Sequence, residues 1–169
     1  SKAVTSSGAR SGMALVMEPD TGKILAMANY PTFNPNSYFR YSQNELRNRA
    51  VVDSFEPGST FKTFLIAAAL EERLVRPTDT FSCENGSYSF AGHTIHDTHS
   101  YGRLSVSDIL KYSSNIGAAK IGFRLGDERL ARYLRKFGFG ERTGIDLPGE
   151  SPGKIRDKQR WYGVDLATI

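Results

Sequence analysis

The stretch Ser59-Thr60-Phe61-Lys62-Thr63-Phe64-Leu65-Ile66-Ala67-Ala68-Ala69-Leu70 constrains this chain more than any other. It follows a Glu56-Pro57-Gly58 break, carries Ser and Thr at its N-terminal end and stops before Pro77, which predicts a helix over 59–72. Its polar residues are few. A helix apolar on most sides has to be enclosed rather than laid on a surface, so the rest of the chain must supply layers around it.

The chain has the material for one such core. With 169 residues, 39% of them hydrophobic, it suits one ordinary domain and not two of typical size, and its charged and aromatic fractions exclude intrinsic disorder. No apolar run is long enough to span a bilayer, and no charged-then-apolar signal segment stands at the start. The single cysteine, Cys83, excludes a disulfide framework. A net charge of +4 gives no case for nucleic acid.

Residues 1–12 are small and polar and read as a lead-in tail or frayed helix. Met13 to Met17 and Lys23 to Ala28 are apolar runs around a Pro19-Asp20-Thr21-Gly22 turn, which predicts a β-hairpin. Because nearly every strand residue is apolar, both faces of that hairpin are expected to be covered by helices. Tyr30 to Tyr41 reads as loop, Asn44 to Val52 as a short helical turn, and Phe81 to Tyr101 as short irregular strands. Ser105-Val106-Ser107-Asp108 opens a helix through Lys111, and a second helix covers Asn115 to Leu125. Asp127 to Phe137 sets Leu130, Leu134 and Phe137 at helical spacing, with Arg129, Arg132, Arg135 and Lys136 outside. Gly138 to Ile169 is Gly- and Pro-rich and reads mostly as loop.

Ser59 and Lys62 lie one helical turn apart and so on one face. A serine hydroxyl is a weak nucleophile until a base takes its proton, and a lysine becomes such a base when apolar surroundings lower its pKa. Free N–H groups at a helix start suit an oxyanion. The pair also admits a plainer reading, an N-cap serine beside a solvated lysine, and the spacing does not separate the two. Ser113-Ser114-Asn115 is a second polar cluster, set among Ile109, Leu110, Ile116 and Ile121, and it too reads either as caps or as site residues. S-x-x-K with S-D-N and K-T-G is, however, a known set in penicillin-binding proteins and class A β-lactamases.

The order of the motifs carries a wider resemblance. The hairpin Ala14 to Met27 is followed by Tyr30-Pro31-Thr32-Phe33-Asn34-Pro35-Asn36, Asn48-Arg49-Ala50-Val51-Val52 and Phe55-Glu56-Pro57-Gly58-Ser59-Thr60-Phe61-Lys62. Tyr112-Ser113-Ser114-Asn115-Ile116-Gly117 and Gly144-Ile145-Asp146-Leu147-Pro148-Gly149-Glu150 complete the series. Residues 13–169 thus resemble the N-terminal part of the transpeptidase domain of class B penicillin-binding proteins. The resemblance implies an α/β (α+β) penicillin-binding transpeptidase or β-lactamase-like fold, a mainly antiparallel sheet with helices on both faces, incomplete here. It implies that Ser59 attacks the D-Ala-D-Ala bond of a peptidoglycan stem peptide, or a β-lactam ring, with Lys62 as base. Ser113 would relay the proton to the leaving amine and Asn115 would bind the substrate backbone. No cofactor is implied. Implied partners are stem peptides, β-lactam antibiotics, a membrane glycan polymerase and division or elongation proteins. The place implied is the periplasmic face of the inner membrane, with an upstream membrane anchor.

Two departures qualify this. Ser114 stands in the middle of the second motif where class A β-lactamases carry Asp, and Glu128, Glu141 and Glu150 sit in no setting for a deacylating Glu. No Lys-Thr-Gly or Lys-Ser-Gly follows Asn115, so the chain is expected to end before that strand. It is then expected to acylate weakly or not at all, and to leave a sheet edge free for a non-native oligomer. A β-lactam sensor, a β-lactamase and a non-catalytic scaffold of the same fold stay open as alternatives. His93, His96 and His99, with Asp97 among them, mimic a metal site, but on a strand His96 faces away from the others, so surface or supporting structure is expected. The basic residues of 127–137 with Lys154, Arg156, Lys158 and Arg160 lack interleaved aromatics and read as a solvated face.

Overall fold

Glu18 to Gly22 turns the chain back on itself. The Glu18 N–H donates to Lys23 O at 2.9 Å, the Gly22 N–H donates to Glu18 O at 2.9 Å, and the Thr21 hydroxyl caps the Glu18 carboxylate. Gly22 takes φ +72°, which a side chain would resist. The strands so joined, β1 (Gly12–Met17) and β2 (Ile24–Tyr30), pair antiparallel with Leu15 opposite Met27, and the register slips between Val16 and Met17. The computed structural model of the chain describes residues 1–156, which fall into two units. Lys158, Arg160 and the final residues 165–169 lie outside the described residues.

The first unit is Ser1–Ser54 with Arg142–Gly153. Besides the hairpin it holds α1 (Lys2–Ser6), α2 (Gln43–Leu46) and α3 (Arg49–Val52). Ser42 and Glu45 form the capping box of α2. Asn29 fastens α3 to β2, accepting from the Ala50 N–H at 3.1 Å and donating to Asn48 Oδ1 at 2.8 Å. The Ser151 N–H donates to Val51 O at 3.0 Å and brings the later segment back to α3. The stretch expected as loop contains a 3-10 segment, Pro35–Arg40, because the Asn34 side chain accepts from the Asn36 N–H at 3.0 Å and Pro35 presets the first turn.

The expected cover over both hairpin faces is not there. Met13, Leu15, Val16, Met17, Ile24 and Leu25 are all exposed. The physical reason is size: α2 and α3 are four residues each, and α3 reaches only part of the sheet.

The second unit, Phe55–Glu141 with the segment from Lys154, is built on the enclosed helix. A 3-10 turn, Gly58–Thr60, runs into α4 (Phe61–Glu71). Then come β3 (Thr80–Ser82), β4 (Ser87–Phe90), β5 (His93–His96) and β6 (Arg103–Ser105), followed by α5 (Val106–Tyr112), α6 (Asn115–Leu125) and α7 (Asp127–Lys136). Among the described residues the strands form three separate two-stranded antiparallel sheets, β1–β2, β3–β6 and β4–β5, rather than one.

Leu65, Ile66, Ala68 and Ala69 of α4 pack with Ile109 of α5, Ile121 and Leu125 of α6, and Leu130 and Leu134 of α7. On its other side α6 joins Ile116 and Ala119 to Cys83 and Ile95. Gly117 makes the α5–α6 contact possible, since a Cβ there would lie 2.5 Å from Ile109 Cγ1. Arg129 and Arg132 of α7 face outward and pair with Glu72 at 3.2 and 2.7 Å. Phe137, expected inside with Leu130 and Leu134, instead caps α7 half exposed, its ring edge-on to Phe64 at 5.0 Å.

Candidate active site

The Pro57-Gly58 break starts the turn that carries Ser59, and Gly58 takes φ +58° to enter it. The turn leads directly into α4, so Ser59 sits just ahead of the helix and Lys62 in its first turn. Ser59 is exposed, whereas Lys62 is 1% exposed, the only fully buried charged side chain among the described residues.

Burying an ammonium is costly unless partners replace its water. Here they do. Lys62 Nζ lies 2.9 Å from Ser59 Oγ, 2.9 Å from Ser113 Oγ, 3.0 Å from Ser113 O and 2.7 Å from Asn115 Oδ1. Two of these, the carbonyl oxygens of Ser113 and Asn115, only accept. A neutral amine satisfies both with its two protons and keeps a lone pair for a hydroxyl proton. Burial lowers the Lys62 pKa, and the negative charge of Asp97 opposes that fall.

The second half of the site is a helix-to-helix corner. Ser113 ends α5 in the left-handed region, φ +56° and ψ 41°, a place glycine usually takes. That conformation costs a serine about 1 kcal/mol, and it brings both its carbonyl and its hydroxyl to Lys62. Ser114 is buried and caps α6, accepting from the Gly117 N–H at 2.9 Å. Asn115, the first residue of α6, donates through Nδ2 to His96 O at 2.8 Å, which fixes Oδ1 toward Lys62.

The other three site residues singled out in the sequence, Ser59, Ser113 and Asn115, therefore meet at the Lys62 amine, the last two across 51 and 53 positions of chain. The arrangement can move a proton from Ser59 to Lys62 and on to Ser113. The histidines do not gather: His93 and His96 end β5, His99 lies beyond it, and all three are exposed. Asp97 turns away from them. Its carboxylate accepts from the Asn115 and Ile116 N–H groups and from the Ser114 hydroxyl. Sequence reading noticed Asp97 only as part of a metal decoy, and its connection to α6 spans 17 to 19 positions with no local signal.

Residues 12–169 match the penicillin binding protein transpeptidase domain family. The chain is 37% identical over 168 residues to the probable peptidoglycan D,D-transpeptidase PbpC of Pseudomonas aeruginosa, covering 99% of this chain and 30% of that protein. It is 36% identical over 167 residues to the peptidoglycan D,D-transpeptidase FtsI of Escherichia coli strain K12, covering 99% and 28%. It thus spans about a third of the length of these curated relatives. Among solved structures, the transpeptidase domain of penicillin-binding protein 3 from Burkholderia pseudomallei superposes with a TM-score of 0.86 at 32% identity, covering 99% of this chain and 46% of that one. A peptidoglycan glycosyltransferase from Burkholderia ambifaria gives the same TM-score at 33% identity, covering 99% and 49%. The α+β fold expected from the motifs is the fold of these domains, and the chain belongs to the transpeptidase domain family of the class B penicillin-binding proteins.

Proposed function

We propose that residues 13–169 form the N-terminal portion of the catalytic domain of a peptidoglycan D,D-transpeptidase, one that β-lactams acylate at Ser59. The observation that supports this most is the buried Lys62 amine, 2.9 Å from both the Ser59 and the Ser113 hydroxyls. In this reading the Ser59 Oγ–H passes its proton to neutral Lys62 as Oγ bonds to the penultimate D-Ala carbonyl carbon. The C–N bond to the terminal D-Ala then breaks, and the departing amine takes a proton from Lys62 through Ser113. Asn115 orients the donor peptide. An amine of a second stem peptide attacks the acyl-Ser59 carbonyl and gives up a proton to Lys62, which restores the Ser59 hydroxyl as the cross-link forms. Resemblance to the family supports a periplasmic setting with a membrane anchor, and work beside a glycan polymerase in division or elongation.

The test is covalent. The full-length protein is incubated with a labelled penicillin and digested, and the mass of the peptide holding Ser59 is measured. One adduct per molecule at Ser59, lost in Ser59→Ala, is the expected result. An unlabelled wild type, or a Ser59→Ala variant that labels equally, overturns the assignment.

A further inference from the structure

Asp97 lies outside every motif that drew attention to the site, yet its carboxylate is committed to the site's far corner. Oδ1 accepts from the Asn115 N–H at 2.5 Å and the Ile116 N–H at 3.1 Å, and Oδ2 accepts from the Ser114 hydroxyl at 2.7 Å. Those groups are the open N-terminus of α6 and its cap, where a carboxylate is favoured both by hydrogen bonding and by the helix dipole. The backbone beside it works in the same direction, since His96 O takes the Asn115 amide proton at 2.8 Å. Asp97 is itself held: its N–H donates to Gly86 O at 3.1 Å. A side chain at Gly86 would be crowded and strained, because its φ is +92° and a Cβ there would lie 3.1 Å from His99 O.

We propose that Asp97 is a positioning residue for the acylation step, holding the Ser113–Asn115 corner so that its two carbonyl oxygens and the Ser113 hydroxyl stay on Lys62. This rests on the reading of Ser59 and Lys62 given above. Without Asp97 two N–H groups and a buried hydroxyl lose their acceptor, and α6 starts where it can rather than where Lys62 requires. The carboxylate also acts on Lys62 through its charge, raising the amine's pKa against the fall that burial imposes. The charged and titratable groups sharing this field include Lys62 on α4, Asp97 after β5, the Cys83 thiol and Glu84 after β3, and Lys120 on α6, which pairs with Glu84 and whose charge reaches Cys83.

Asp97→Asn and Asp97→Ala are made in the full-length protein, and the second-order rate of acylation by a fluorescent penicillin is measured across pH, with thermal melting as a folding control. Asp97→Ala is expected to acylate slower by about a hundredfold, the scale of a misplaced catalytic group. Asp97→Asn keeps the shape and an acceptor and removes the charge. It should melt near the wild type and acylate about tenfold slower. The limb on which its rate rises with pH should move to lower pH, because Lys62 loses the charge that held its pKa up. A merely structural role would leave that limb in place. Rates within twofold of wild type for both variants, or an unmoved limb in Asp97→Asn, overturn the proposal. If the wild type takes no penicillin, the Ser59 reading fails, and Asp97 is judged by hydrogen exchange in a peptide covering 113–117. Faster exchange in Asp97→Ala then supports the positioning, and unchanged protection overturns it.

Discussion

Leu25 on β2 and Leu65 on α4 are the same side chain in two settings, 64% exposed in one and fully buried in the other. Leu65 sits in a buried cluster to which α4, α5, α6 and α7 all contribute apolar side chains. Around Leu25 the sheet has two strands and helices of four residues, so its side chains stay in contact with water. The difference is one of layers rather than composition, because both segments are apolar along nearly their whole length. It places the core energy of the chain in the helical unit. The hairpin is an apolar surface of the kind that marks interaction sites.

Substitutions in the two units should separate sharply. The largest effect is chemical. Lys62→Met should lower the rate of acylation by penicillin by about 10²–10⁴-fold, the usual worth of a positioned base. Urea unfolding of the same variant serves as the folding control, because Met leaves Ser113 O and Asn115 Oδ1 without the Lys62 donor. The same variant tests the direction of the Lys62 pKa. A lysine whose pKa is lowered by folding holds fewer protons than the unfolded chain between its folded and ordinary values, so its contribution to stability rises with pH through that window. The difference in urea midpoint between wild type and Lys62→Met should therefore change with pH in that window in favour of the wild type. A flat difference would mean that burial does not perturb the amine.

Leu65→Ala comes next, at about 2–5 kcal/mol of stability by urea unfolding. Gly117→Ala should cost about 1–3 kcal/mol, because its methyl meets Ile109 at a fully buried contact. Leu25→Ala should change stability by less than about 0.5 kcal/mol. A loss as large as that of Leu65→Ala would break the comparison and mean that the hairpin is covered in solution.

What could be read from the sequence was local. The hairpin turn, the caps at Ser105 and Ser114 and the α6 boundaries are set by neighbours a few residues apart, and they lie where sequence reasoning puts them. Ser59 and Lys62 were legible for the same reason, being one turn apart. The exposure of the hairpin was not, since whether an apolar strand is covered depends on how much helix the fold brings to it. The role of Asp97 was hidden behind its histidine neighbours, and its bonds to α6 are made only when β5 and α6 come together.

Ser113 and Asn115 meet Lys62 only after more than fifty residues of chain have closed back on α4. Until then Ser59 is an ordinary alcohol and Lys62 a hydrated cation in water, and neither distinguishes this chain from any other polypeptide. If Ser59 is the nucleophile we propose, reactivity toward an acyl donor needs the folded corner, and covalent capture at Ser59 would count folded molecules in a mixed population without any spectroscopic signal.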